Sequence, residues 1–177
     1  MCSTSVRIRS FLAVFTVLLA TTASVAQQVA MLPVQGRITD GESKLEGCRV
    51  VLLKGNVPVD TITTNKNGKF EHLLEIGQDH ALVFLKEGFV PKRVVIDTRF
   101  PEDPTDIVFE PLVMDISLLA EDKYTGVDTD VLDFPFAIIR YDRKMGGFAQ
   151  DQAYSMGMQR ANGALLLMAA RAGKRQD

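Results

Sequence analysis

Thr64-Asn65-Lys66-Asn67-Gly68-Lys69-Phe70 lies between two stretches of alternating character, Val59-Asp60-Thr61-Ile62-Thr63 before it and Phe70-Glu71-His72-Leu73-Leu74 after it. Asn and Gly tolerate the positive φ values that tight turns require, which makes Asn67-Gly68 the strongest local structural signal in the chain. The pattern predicts a β-hairpin whose arms are those two stretches, with Phe70 anchored in the core.

Working outward, the period of two continues in both directions. Leu32-Pro33-Val34-Gln35-Gly36-Arg37-Ile38 reads as a first strand, closed by the turn-rich Thr39-Asp40-Gly41-Glu42-Ser43. In Cys48-Arg49-Val50-Val51-Leu52-Leu53-Lys54, the residues Cys48, Val50 and Leu52 share one small or branched apolar face, which is expected to look into the core. Gly55-Asn56 turns the chain into the first arm of the expected hairpin. Beyond Gly77-Gln78-Asp79 come an apolar run over residues 80–86, then Gly88, then Arg93-Val94-Val95-Ile96-Asp97. Phe100-Pro101-Glu102-Asp103-Pro104 reads as a loop, since prolines cannot donate to a central ladder, and residues 107–119 read as a last strand. No helical period occurs over residues 32–119, so the expectation is a mainly β, antiparallel sandwich.

The first 26 residues have the form of a removable secretory leader. Arg7 and Arg9 give a positive start, residues 11–20 are uncharged and apolar, and Ser24-Val25-Ala26 offers small residues for cleavage before Gln27. The apolar run is broken by Thr21, Thr22 and Ser24, short of the roughly 20 residues a membrane span needs. Cys2 precedes the apolar segment, so lipid attachment is not expected. The expected location is therefore exported, in the periplasm or at the cell surface. Of 20 Lys+Arg and 22 Asp+Glu in the chain, the leader removes Arg7 and Arg9 and no acid, leaving 18 against 22, or −4. With no clustered basic face, nucleic acid is not an expected partner. Cys48 is the one cysteine left, which excludes an internal disulfide, and its place on the apolar face predicts a buried core residue.

Four stretches, Gly36-Arg37-Ile38-Thr39-Asp40, Leu45-Glu46-Gly47-Cys48-Arg49-Val50, Thr64 through Phe70, and Phe84-Leu85-Lys86-Glu87-Gly88-Phe89, together resemble the carboxypeptidase regulatory-like domain family. The resemblance covers about the first two thirds of the mature chain. It implies a seven-stranded, Ig-like or transthyretin-like sandwich over residues 27–119, of a kind common in exported proteins of Bacteroidetes. Modules of this family are structural or interaction units without shared catalytic residues, so the resemblance implies no enzyme and no cofactor.

Residues 120–177 differ in character. Residues 122–133 are polar and acid-rich and read as a linker or long surface loop. Phe134-Pro135-Phe136-Ala137-Ile138-Ile139-Arg140-Tyr141 reads as a short apolar strand, placed at an edge by Pro135 and ended by Gly146-Gly147. From Asp151 onward Tyr154, Met158, Ala161, Leu165 and Met168 recur at spacings of four and three, one stripe of an amphipathic helix. Arg171, Lys174 and Arg175 suit the negative pole at its end. Two uses of the stripe are open: resting on the sandwich, or docking a partner.

Chemistry is thinly represented. His72 and His80 could meet as a metal pair, but zinc sites collect three or four ligands, and solvated or hydrogen-bonded strand histidines are the simpler expectation. Asp128, Asp130 and Asp133 could offer oxygens to calcium, yet the Gly and distal Glu of an EF-type loop are missing, and a solvated acidic loop is expected. Ser43, Ser117 and Ser155 lie in no nucleophile elbow, so catalytic, cofactor and metal residues are all expected to be absent. Partner-binding candidates are Phe134, Phe136, Tyr141, Tyr154, Met158 and Leu165. The expected function is a non-enzymatic interaction or scaffolding module of the cell envelope that recognises a protein through sandwich loops, an edge and the C-terminal helix. A carbohydrate-binding module stacking sugar on Phe134, Phe136 or Tyr141 is the alternative, and a small hydrolase a weaker one.

Overall fold

Alternating β-branched and apolar residues between glycine-bearing turns build nine strands in the computed structural model, which describes residues 30–99 and 109–174. They are β1 (Met31–Thr39), β2 (Arg49–Lys54), β3 (Val57–Thr63), β4 (Lys69–Glu75), β5 (Asp79–Leu85), β6 (Lys92–Asp97), β7 (Leu112–Ser117), β8 (Ala137–Asp142) and β9 (Gly147–Gln150). A single long helix, α1 (Gln152–Gly173), follows. The expected leader, the loop Phe100-Pro101-Glu102-Asp103-Pro104, residues 107–108 of the last expected strand, and Arg175 lie outside the described residues.

Two sheets face each other, a small one ordered β4-β1-β7 and a larger one ordered β3-β2-β5-β6-β8-β9. The arrangement is a β-sandwich, but the expectation of seven antiparallel strands is corrected: among the described residues there are nine strands, and β1/β7 and β6/β8 run parallel. Alternation reports which face a residue takes; it carries no information on strand direction, which long connections leave free.

The predicted hairpin is also corrected. β3 pairs with β2 and β4 pairs with β1, so residues 64–70 carry the chain from one sheet to the other. At the near end of this corner Thr64 N–H donates to Cys48 O at 2.9 Å, and at the far end Ile38 N–H donates to Gly68 O at 2.8 Å. Between them Asn65 Oδ1 accepts from the amides of Asn67 at 2.9 Å and Lys69 at 3.1 Å, and its carbonyl accepts from Gly68 N–H at 2.8 Å. Within residues 64–70 Gly68 alone takes the left-handed conformation (φ +68°), and a Cβ there would stand 2.4 Å from Ile38 O. The true hairpin joins β2 to β3 through Gly55-Asn56, both at positive φ (54° and 65°), the geometry of a two-residue primed turn.

The inward faces form one core. Cys48, Val50 and Leu52 point inward as expected, together with Leu82 and Phe84 of β5, Val94 and Ile96 of β6, and Ile139 of β8, against Leu32, Val34, Ile38, Phe70 and Leu74 of the small sheet. Phe70 meets Phe84 across the interface, ring centroids 5.3 Å apart and close to edge-on. Gly36 leaves the space that the Phe70 ring fills, since a Cβ there would lie 2.9 Å from that ring. Burial also pushes the Cys48 thiol pKa upward, consistent with a core side chain.

After Leu119 the chain departs from the expected linker. Residues 121–124 and 130–133 form short 3-10 turns, and Tyr124 is buried. The predicted edge strand is interior, with β6 on one side and β9 on the other. Pro135 precedes the strand and so blocks no ladder bond, while Gly146-Gly147 turns the chain into β9 instead of ending the sheet. Helix α1 starts at Asp151, whose Oδ1 accepts from Tyr154 N–H at 3.1 Å, and rests on β8 and the two 3-10 turns. Tyr154, Met158, Ala161 and Leu165 are half-buried, but Met168 is exposed and Ala169 is buried in its place. A stripe spaced by sevens drifts about 20° per heptad on a straight helix, so two heptads from Tyr154 it has rotated off the contact.

Phe70→Ala is expected to lower the unfolding free energy by about 3 to 5 kcal/mol in urea titration, the range for an aromatic removed from a core; a loss below about 1 kcal/mol would mean the ring is not an inter-sheet contact. Gly68→Ala should cost about 2 kcal/mol or more, since the left-handed penalty of about 1 to 2 kcal/mol is joined by the clash with Ile38 O.

Candidate functional site

The C-terminal extension closes over one end of the sandwich and leaves a recess in the seam. Counting by two from Ile96 and Val94 puts Lys92 on the inward face at the start of β6. Its ammonium donates to the Ser117 carbonyl and lies 4.2 Å from the centre of the Phe136 ring. Among the described residues no carboxylate makes an ion pair with it. Burial pushes the Lys92 pKa down to about 8, while the carbonyl and the ring face act the other way by favouring the cation.

Several main-chain bonds fix the walls. Val90 N–H donates to Leu119 O at 2.9 Å, Glu121 N–H to Gly88 O at 3.0 Å, and Phe136 N–H to Arg93 O at 2.7 Å. The Tyr154 hydroxyl donates to Pro135 O at 2.7 Å, and the buried Tyr124 hydroxyl donates to Oδ1 of Asn162 on α1. At the helix start the Asp151 carboxylate pairs with Arg140, and Gln150 Nε2 donates to Ser155 Oγ at 2.6 Å. The recess so framed by Lys92, Tyr124, Phe134, Phe136, Met158 and Asn162 encloses about 20 Å³.

Of the six partner-binding candidates, the fold gathers Phe134, Phe136 and Met158 around this recess, with Tyr154 tied to the same corner through Pro135. Phe134 stands at the lip, 61 % exposed. Leu165 is half-buried farther along α1. Tyr141 lies apart, edge-on to Phe148 at 5.8 Å, and Phe148 in turn meets Phe109 at 5.4 Å. Lys92, Tyr124 and Asn162 were not legible as site residues. For Lys92 a signal existed, because the alternation that turns Val94 and Ile96 inward also turns Lys92 inward once the strand is begun one residue earlier than Arg93.

Of the two expected settings, solvated or hydrogen-bonded, neither histidine takes the first: His72 and His80 are both buried in their strands. His72 Nδ1 stands 3.6 Å from Asp60 Oδ2, and His80 Nε2 is 2.8 Å from Glu75 O. Asp128 Oδ1 accepts from Asp130 N–H at 2.9 Å, and the neighbouring Asp128 carboxylate raises the Asp130 pKa. Among the described residues no three His, Cys, Asp or Glu side chains converge as a metal cage, and no helix is long and apolar enough to cross a membrane.

No family model and no curated protein matches the sequence. Solved structures with a similar course of chain include 3-chlorocatechol 1,2-dioxygenase from Rhodococcus opacus 1CP (11 % identity, 54 % of this chain and 62 % of that one, TM-score 0.41). Others are wild-type catechol 1,2-dioxygenase from Acinetobacter radioresistens (16 % identity, 56 % and 55 %, TM-score 0.41) and the major pilin SpaD from Corynebacterium diphtheriae (16 % identity, 52 % and 31 %, TM-score 0.39). This chain spans less than two thirds of the length of each.

The Lys92 environment has a consequence for stability. The folded state gives up the proton near pH 8 and the unfolded chain near 10.5, so between those values the unfolded chain binds more protons and stability rises with pH. The burial cost is full below pH 8 and amounts to about 1 to 3 kcal/mol after allowance for partial exposure. Urea titrations at pH 7, 9 and 10 should show this rise in the wild type and a flatter profile in Lys92→Met, with the variant at least as stable at pH 7. Parallel profiles would mean that the ammonium is fully hydrated in the folded protein.

Proposed function

We propose that this chain is a non-enzymatic interaction module of the cell envelope, exported by way of residues 1–26, that holds a protein partner on the outward face of α1. The observation that carries the reading is the composition of that face. Met156, Arg160, Ala164, Leu167 and Arg171 follow one another at spacings of four and three, and Met156, Leu167 and the adjacent Met168 are 47 %, 64 % and 52 % exposed. The opposite side of the helix already rests on its own sheet, so these side chains are surplus to folding. Methionine and leucine beside a small alanine suit an adaptable apolar contact, and the flanking arginines, with no acid anywhere in α1, favour an acidic rim on the partner. The resemblance to the carboxypeptidase regulatory-like domain supports the same reading, because modules of that kind act as interaction units. The glycan alternative is less favoured, since Tyr141, the aromatic best placed on a strand for stacking, is half-buried against Phe148.

Cross-linking in the native envelope followed by purification should recover a partner with the wild type and at least tenfold less with Met156→Ser/Leu167→Ser. Both substitutions are on the surface, so stability should stay within about 0.5 kcal/mol. Equal recovery with the double variant would remove α1 as the docking face.

A further inference from the structure

The recess at Lys92 has a chemical character that the docking face of α1 neither explains nor requires. Lys92 is half-buried, and among the described residues its ammonium meets only the Ser117 carbonyl and the Phe136 ring. One of its three N–H donors is used on the carbonyl, leaving two. The neighbouring Asn162 spends its Oδ1 on the Tyr124 hydroxyl, and its amide N–H groups make no hydrogen bond among the described residues. The Lys92 ammonium and the Asn162 amide thus bring uncommitted N–H donors to the lining, and Phe134, Phe136 and Met158 make much of the rest apolar. A site of this composition selects an acceptor that carries negative charge and hydrocarbon together. The enclosed space of about 20 Å³ has room for about one water-sized group, such as a single carboxylate oxygen, while Phe134 at the lip, 61 % exposed, offers a surface on which a chain can lie outside it.

We propose that this recess binds an apolar carboxylate, a fatty or aryl-alkanoic acid, with its carboxylate between Lys92 and Asn162 and its tail running out over Phe134 and Met158. The interaction is a charge-assisted hydrogen bond in a partly dry setting, where it is stronger than at an open surface. Lys92 is held ready for it by the Phe136 ring and the Ser117 carbonyl, so little side-chain freedom is lost on binding.

Isothermal titration of the purified protein with octanoate, and with octanamide as a probe of equal length and no charge, tests the assignment. Octanoate should bind at least tenfold tighter than octanamide. Lys92→Met should abolish that preference while its thermal midpoint stays at or above that of the wild type. Asn162→Asp, which sets a carboxylate beside the proposed head group, should weaken octanoate by tenfold or more and leave octanamide within a few fold. Equal affinities in the wild type, no binding of octanoate at millimolar concentration, or octanoate affinity unchanged in either variant would each overturn the proposal.

Discussion

Ile38 is held by the corner between the sheets through both of its main-chain groups: its amide donates to Gly68 O at 2.8 Å, and its carbonyl, which accepts from Leu45 N–H at 2.9 Å, lies so close to Gly68 that no Cβ fits between them. A few residues earlier the same segment is bonded to the other sheet, with Thr64 N–H on Cys48 O, Gly47 N–H on Thr64 O, and Thr64 Oγ1 accepting from Cys48 N–H and donating to Leu45 O. One short turn therefore fixes both sheets, and the spacing between them follows. It sets Phe70 opposite Phe84 and leaves Gly36 as the position into which the Phe70 ring reaches. Thr98 plays a similar part at the other end, its hydroxyl accepting from Gln78 N–H while lying within hydrogen-bond distance of the Glu75 and Gln78 carbonyls.

The C-terminal extension then builds on the β6 edge of the larger sheet. β8 adds to β6 in parallel, β9 folds back on β8, and α1 is then delivered against β8 and the 3-10 turns. Burying the near face of the helix leaves its far face apolar as well, since Met156, Leu167 and Met168 are solvent-facing. The same docking brings Met158 and Asn162 over Lys92, a residue that would otherwise sit at an open sheet end with ready access to water. The recess is thus a product of the extension meeting the sandwich, and a cation with no carboxylate beside it among the described residues is the feature that packing alone does not explain.

Local chemistry decided strands β1 to β8, the inward set Cys48, Val50 and Leu52, the turns at Gly55-Asn56 and at Asn65 to Gly68 and the existence of α1, because each depends on side-chain alternation, helical period or backbone freedom within a few residues; β9, which follows the turn at Gly146-Gly147, showed no such pattern. Only the tertiary structure decided which strands pair and in which direction. The stretches flanking Thr64 to Phe70 alternate alike whether they bond to each other or to β2 and β1, since alternation fixes the face of a strand and leaves its neighbour open. The same holds for the site: Phe134, Phe136 and Met158 could be singled out one by one, but their meeting with Lys92 and Asn162 depends on contacts between residues tens of positions apart, which no local pattern encodes.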